Sequence, residues 1–169
     1  RLISRSKKFK DIGPTLLILI IASLGVRTVA RNEDWKTPNR FWRQTVLVSM
    51  NSPRAHNNMG DVYSQEGNID GTIREFKKAI ELQPNYADAY HNLATTYYRI
   101  GNLEESIKFY QQAIRFNPDL FESCLNLGLI YLNKGDYNLA QAQLKEAVKL
   151  RPQDANAQQA LDIAMNKKR

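Results

Sequence analysis

The chain has one cysteine, Cys124, and two histidines, His56 and His91, in 169 residues. A lone thiol excludes an intramolecular disulfide and a thiolate metal cluster, and two histidines without neighbouring cysteines supply no metal-ligand set of ordinary spacing. No phosphate-cradling glycine loop, no nucleophile elbow and no Asn-X-Ser/Thr acceptor occurs. Neither catalytic residues nor a cofactor nor a metal are therefore assigned. Acidic residues are scarce at one end: residues 1–54 carry 11 Lys/Arg against 3 Asp/Glu, whereas residues 55–169 carry 13 against 14. The surplus behind the formal charge of +7 therefore surrounds one apolar run and forms no basic face elsewhere, which suits membrane flanks and argues against nucleic acid as a partner.

Long apolar runs are also scarce. The one present extends from Ile12 to Val26 without a charge, and to Ala30 if Arg27 lets its stem lie along the lipid. At about 1.5 Å per residue the strict run reaches about 22 Å, short of the roughly 30 Å of a bilayer core. Lys10 and Arg27 can extend it, and Trp35 and Trp42 suit the headgroup level. Residues 12–30 read as a transmembrane helix behind a basic flank, 1–11. A secretory signal cut after Thr28-Val29-Ala30 is the alternative, opposed by Arg27 at the boundary. The chain opens on Arg1 instead of methionine, so a piece of a longer protein is expected.

What is abundant is periodicity. Asn58, Asn92 and Asn126 stand 34 residues apart, and so do Tyr63, Tyr97 and Tyr131, Gly67, Gly101 and Gly135, Ala79, Ala113 and Ala147, and Pro84, Pro118 and Pro152. The units are 53–86, 87–120 and 121–154. Each has two apolar-periodic segments broken by glycine and followed by proline, which is the pattern of a helix pair. Gly67, Gly101 and Gly135 suit a left-handed turn, and Asn68, Asn102 and Asp136 suit the cap of the second helix, with Glu105 placed for a capping box after Asn102. Gly60, Ala94 and Gly128 are small where the helices of a pair should cross, with Thr72, Ser106 and Ala140 expected as compact partners. Trp42, Thr45, Val46 and Val48 lie one period before Phe76, Ala79, Ile80 and Leu82, so 31–52 reads as a linker and a half-repeat helix. Residues 155–169 read as a polar capping helix.

These columns resemble the tetratricopeptide repeat family, most completely in "AYHNLATTYYRIGNLEESIKFYQQAIRFNP", where Ala94 replaces the usual glycine and Tyr90 the usual tryptophan. The resemblance implies an all-α solenoid of three and a half helix-turn-helix repeats plus a cap, here preceded by one transmembrane helix. The junction "RTVARNEDWKTPNRFWRQTVLVSMNSPRAHNNMG" resembles that of polytopic membrane proteins with such tails, among them transmembrane O-mannosyltransferases. It implies a C-terminal piece with its repeats outside the cytoplasm.

In such solenoids the first helices line a concave surface that holds a peptide or a partner helix. By register the inward residues are Asn57, Asp61 and Gln65 in the first repeat, His91, Thr95, Tyr98 and Arg99 in the second, and Leu125, Leu129 and Leu132 in the third. The groove is expected to run from polar to apolar, and the partner to be a protein or peptide. Asn58, Asn92 and Asn126 are similar to the asparagine ladder with which the O-linked N-acetylglucosamine transferase grips peptide backbone, although asparagine is common in this column throughout the family. The lysine-rich clamp that holds a chaperone's terminal carboxylate is matched only by Asn92; Asp61 and Glu122 would repel that ligand. His56 and Cys124 are expected as packing residues, and Tyr63, Tyr97 and Tyr131 as core.

Overall fold

The computed structural model describes Ser23 and residues 38–167. Among these, eight helices follow one another: α1 Pro38–Val48, α2 Pro53–Gln65, α3 Ile69–Leu82, α4 Ala87–Arg99, α5 Leu103–Phe116, α6 Phe121–Lys134, α7 Tyr137–Leu150 and α8 Ala155–Asn166. None of the described helices is long and apolar enough to cross a membrane, and the run expected to do so, residues 12–30, lies outside the described residues except for Ser23. The protein divides into two compact units, Arg1–Gln44 and Thr45–Arg169. In the first, Phe41 and Trp42 make an edge-on ring contact with centroids 4.6 Å apart. The repeats all belong to the second.

Local chemistry sets the helix ends. Ser52 Oγ accepts from Ala55 N at 3.2 Å, just before a first-turn proline. Asn68 Oδ1 accepts from Gly71 N at 2.9 Å and Asn102 Oδ1 from Glu105 N at 3.2 Å, each capping the second helix of a pair. Glu105 does not complete a capping box, because its carboxylate turns to Lys108 Nζ at 3.2 Å. Asp136, in the same column as the two asparagines, makes no side-chain cap bond. Gly67, Gly101 and Gly135 have φ of 73°, 79° and 82°, so the inter-helix turn requires the left-handed conformation that the sequence reserves for glycine.

Each helix of the array packs on the one before and after it, and α2 lies beside α4 and α6 beside α8. Phe76, Tyr110 and Leu144, one period apart, are buried to within 1% exposure and fill the gap inside each pair. A Cβ added at Gly60 would stand 2.5 Å from Phe76 Cε1, and one at Gly128 would stand 2.6 Å from Leu144 Cγ. Gly60 and Gly128 therefore make room for these large residues, and Thr72 and Ala140 are buried without being the nearest contacts expected of them, while Ser106 is buried as well. The main core runs from Ala94 and Tyr110 through Leu127, Ile130 and Leu144 to Ala160 and Ala164 on α8. Burying each large aliphatic side chain stabilises the array by about 2 kcal/mol. Asp162 stands one period after Gly128 and is exposed. A second helix laid on α8 would bury that carboxylate at a cost in desolvation.

Candidate functional site

The first helices of the pairs, α2, α4 and α6, carry the face expected to meet a partner. At its start, Asn92 on α4 reaches back across the repeat boundary: its Nδ2 donates to Asn57 Oδ1 at 3.1 Å and lies 3.4 Å from Asp61 Oδ1. Asn126, one period later, donates instead to the Tyr110 hydroxyl at 3.1 Å. The difference has a simple origin. The residue 16 before Asn126 is Tyr110, whereas the residue 16 before Asn92 is Phe76, which has no hydroxyl to accept.

A directed series of hydrogen bonds follows from donor counting. Thr95 Oγ1 donates its one proton to the His91 carbonyl at 3.0 Å, so the 2.8 Å contact between Thr95 Oγ1 and the Tyr110 hydroxyl is donated by Tyr110. Asn126, Tyr110, Thr95 and the α4 backbone are thereby joined. Burial pushes the Tyr110 phenol up from its ordinary value, so it keeps the proton this series needs. His91 Nδ1 shares a 2.8 Å hydrogen bond with Ser123 Oγ, and its ring meets that of Tyr110 edge-on with centroids 5.6 Å apart. Burial holds His91 below its ordinary pKa, against the pull of Glu122 and Asp88, so it is neutral at pH 7. Ser123 is 0% exposed and its hydroxyl is out of reach of any substrate, which makes the pair a fastening between repeats and not a nucleophile with its base. Arg99 spans the boundary between the first two repeats, donating to Ser64 Oγ at 2.8 Å.

A hollow of about 310 Å³ opens on this face, lined by Asn57, Asp88, His91, Asn92, Leu120 and Glu122. Beside it, burial pushes the Asp61 carboxyl up from 3.8 to about 6. Glu122 is paired with Arg151 at 2.7 Å, and the Arg151 guanidinium lies 4.2 Å from the centre of the Phe121 ring. Toward the other end Leu125, Leu129 and Leu132 are half-buried against the core. Tyr98 is 46% exposed and Asn58 half-buried.

The structure thus brings Asn57, Asp61 and Asn92 together in one set of bonds and joins Thr95 to the His91 backbone, Tyr110 and Asn126 in another, with Leu125 and Leu129 on α6. Sequence reasoning missed Asp88, Leu120, Ser123 and Tyr110. Tyr110 could have been found, because a hydroxyl at a column otherwise filled by Phe76 and Leu144 requires a partner in the core. Asp88 and Leu120 carried no such signal. His56 is buried, its Nδ1 2.7 Å from Glu75 Oε2 and its Nε2 2.9 Å from the Met50 carbonyl. Cys124 is 1% exposed with its thiol pushed up chiefly by burial, which makes it unreactive. Among the described residues no cluster of His, Cys, Asp and Glu could hold a metal ion.

The sequence matches two models of known repeats: "TPR repeat" over residues 60–101 and 96–135, and "Tetratricopeptide repeat" over residues 121–154. Among curated proteins it is similar to protein O-mannosyl-transferase Tmtc2 of Drosophila melanogaster, 29% identical over 87 residues covering 52% of this chain and 9% of that protein. It is also similar to the Xenopus laevis tmtc2 protein, 32% identical with 48% and 10% covered, and to human TMTC3, 26% identical with 49% and 9% covered. The matched region spans about a tenth of the length of these relatives. Among solved structures it resembles MamA with a TM-score of 0.68 at 21% identity, covering 88% of this chain and 81% of that one. It also resembles the first TPR domain of Spaghetti (RPAP3), solved with an HSP90 peptide, with a TM-score of 0.64 at 16% identity and 68% and 91% covered. The repeat models and the helix pairs agree over three consecutive units, and the chain belongs to the tetratricopeptide repeat family.

Proposed function

We propose that this protein is a membrane-anchored interaction module that holds a peptide or a segment of a partner protein in the concave groove formed by α2, α4 and α6. The observation that carries this reading is the polarity of that face: amide and hydroxyl groups of Asn57, Asn92 and Thr95 at one end and half-buried Leu125 and Leu129 at the other. Amides that offer donor and acceptor together suit a peptide backbone, and a leucine pair suits an aliphatic anchor. Asn58, Asn126, Asp61, His91, Tyr98 and Arg99 complete the contact surface. The anchor is the run 12–30, with the repeats on the extracytoplasmic side.

The test is a selection of displayed dodecapeptides on the full-length polypeptide in detergent, followed by anisotropy titration of the selected peptides. Leu129→Gln and Asn92→Ala should each weaken binding by about tenfold, the size typical of a central interface residue. Affinities unchanged in both variants would count against the groove.

A second reading is favoured by the mannosyltransferase relatives. In it these repeats are the substrate-recruiting or regulatory tail of a polytopic glycosyltransferase whose catalytic part lies upstream, and the same groove holds the protein to be modified. Detection of the native protein in carbonate-washed membranes separates the two. A band several times 19.4 kDa supports the transferase tail, and a band near that mass supports a small anchored scaffold.

A further inference from the structure

Three apolar side chains at the end of α1 and in the turn after it face solvent: Leu47 is 66% exposed, Val48 82% and Met50 68%. Among the described residues no other large apolar side chain exceeds 50%. The repeat shows how unusual this is. One, two and three periods after Leu47 stand Glu81, Arg115 and Lys149, each charged and exposed, so this outer column carries charge everywhere else. Met50 stands in a column of exposed prolines, Pro84, Pro118 and Pro152. Val48 lies one period before Leu82, which is half-buried. His56 Nε2 donates to the Met50 carbonyl at 2.9 Å, which fastens the turn that carries Met50 to α2.

A second observation concerns charge. From Trp35 to Gly60 the chain carries Lys36, Arg40, Arg43 and Arg54 and no acidic residue, and the three arginines are exposed. Exposed aliphatic side chains in a stretch with cations and no acids match a layer of hydrocarbon beneath anionic phosphate. Area argues the same way. Three such side chains offer on the order of 300 Å² of apolar surface, against about 800 Å² per partner in a standard protein interface. A second copy of this chain would also bring the same cations together. A bilayer needs no such area once the chain is tethered to it. At full extension residues 31–37 and the helix to Leu47 reach at most about 40 Å from the end of the run 12–30. A tether of that length holds the patch at an effective concentration on the order of millimolar, so a modest affinity suffices.

Resting on the membrane-anchored reading above, we infer that Leu47, Val48 and Met50 lie in the headgroup layer of the bilayer that holds the run 12–30, on a leaflet that carries anionic phospholipid. The contact holds the first repeat at the membrane and so restricts the directions from which a partner reaches its groove.

Val48→Cys in the full-length polypeptide gives one reactive thiol, since Cys124 is 1% exposed. A bimane on that thiol reports its surroundings in nanodiscs of phosphatidylcholine with phosphatidylglycerol. The same label on Lys145→Cys, at an exposed position of α7, is the reference. Iodide in the water should quench the label at 48 severalfold less than that at 145, and a spin label on the lipid headgroup should quench it severalfold more. Leu47→Gln/Met50→Gln should raise the iodide quenching at 48 to the reference while the chain stays in the disc. Discs of phosphatidylcholine alone should weaken the lipid quenching; equal quenching there would overturn the part given to anionic headgroups. A label at 48 that iodide reaches as freely as at 145 would overturn the inference with the anchor intact. Shielding from iodide without lipid quenching, as a second copy would give, would do the same. A full-length polypeptide that does not float with vesicles of the same lipids would overturn both.

Discussion

Asp61→Asn should make the protein more stable at neutral pH. The carboxyl titrates at about 6 when folded against 3.8 as its ordinary value, because burial opposes its charge. At about 1.36 kcal/mol per pH unit the full linkage approaches 3 kcal/mol. The group faces an open groove and is half-exposed, so solvent reduces this to about 1 kcal/mol. The direction follows from proton counting. Between about 4 and about 6 the folded state binds more protons than the unfolded one, so the stability tied to Asp61 is complete below the lower value and lost as pH rises through the upper. Asparagine keeps the oxygen that faces Asn92 Nδ2 and cannot ionise. Urea unfolding followed by far-ultraviolet circular dichroism, at several values from about pH 4 to about pH 7.5, should give a variant more stable by about 1 kcal/mol at the upper end and equal to the native protein at the lower. A gain of the same size at the acid end, or a loss at the neutral end, would refute burial of the charge as the cause.

Three other changes test separate parts of the structure. Gly135→Ala meets nothing within 4 Å but must hold φ near 82°, so a cost of about 1 kcal/mol is expected in urea unfolding. Ser106 Oγ is buried without a hydrogen-bond partner, so Ser106→Ala should be neutral or raise stability by up to about 1 kcal/mol, read as a shift in thermal midpoint. Tyr110→Phe removes the link between Asn126 and Thr95 while keeping the ring, and should cost about 1 to 2 kcal/mol. Asn126→Ala, which removes only the solvent-side end of that series, should cost less in the same assay.

The repeat was legible because it is written in backbone requirements. Glycine at 67, 101 and 135 answers a left-handed turn, and Asn68 and Asn102 answer the exposed amides of the next helix. The turn recurs every 34 residues and leaves glycine each time, whereas the cap column changes to Asp136 in the third repeat. Side-chain partners do not recur in that way. Asn92 and Asn126 occupy one column yet bind different groups, because the neighbour that decides between them is phenylalanine in one repeat and tyrosine in the next. The asparagine ladder was therefore visible as a column, but not as two amides partly engaged within the fold. Small residues at Gly60 and Gly128 signalled a close approach without naming the residue that approaches, which proved to be the large one, Phe76 or Leu144, and not the small one. The walls of the hollow come from the starts of α4 and α6 and the turn before α6, where Asp88, Glu122 and Leu120 meet only after the repeats stack. The run 12–30 was read from its composition alone and lies outside the described residues except for Ser23.

Amide chemical-shift mapping addresses the groove most directly. The full-length polypeptide, labelled with ¹⁵N in detergent micelles, would be titrated with a selected peptide. Binding in the groove should shift the resonances of Asn57, Asp61, His91, Asn92 and Thr95, with Leu125 and Leu129 following for a peptide that carries an aliphatic residue. Shifts confined to exposed residues of the second helices, such as Lys77 on α3 and Lys145 on α7, with the groove unmoved, would contradict it.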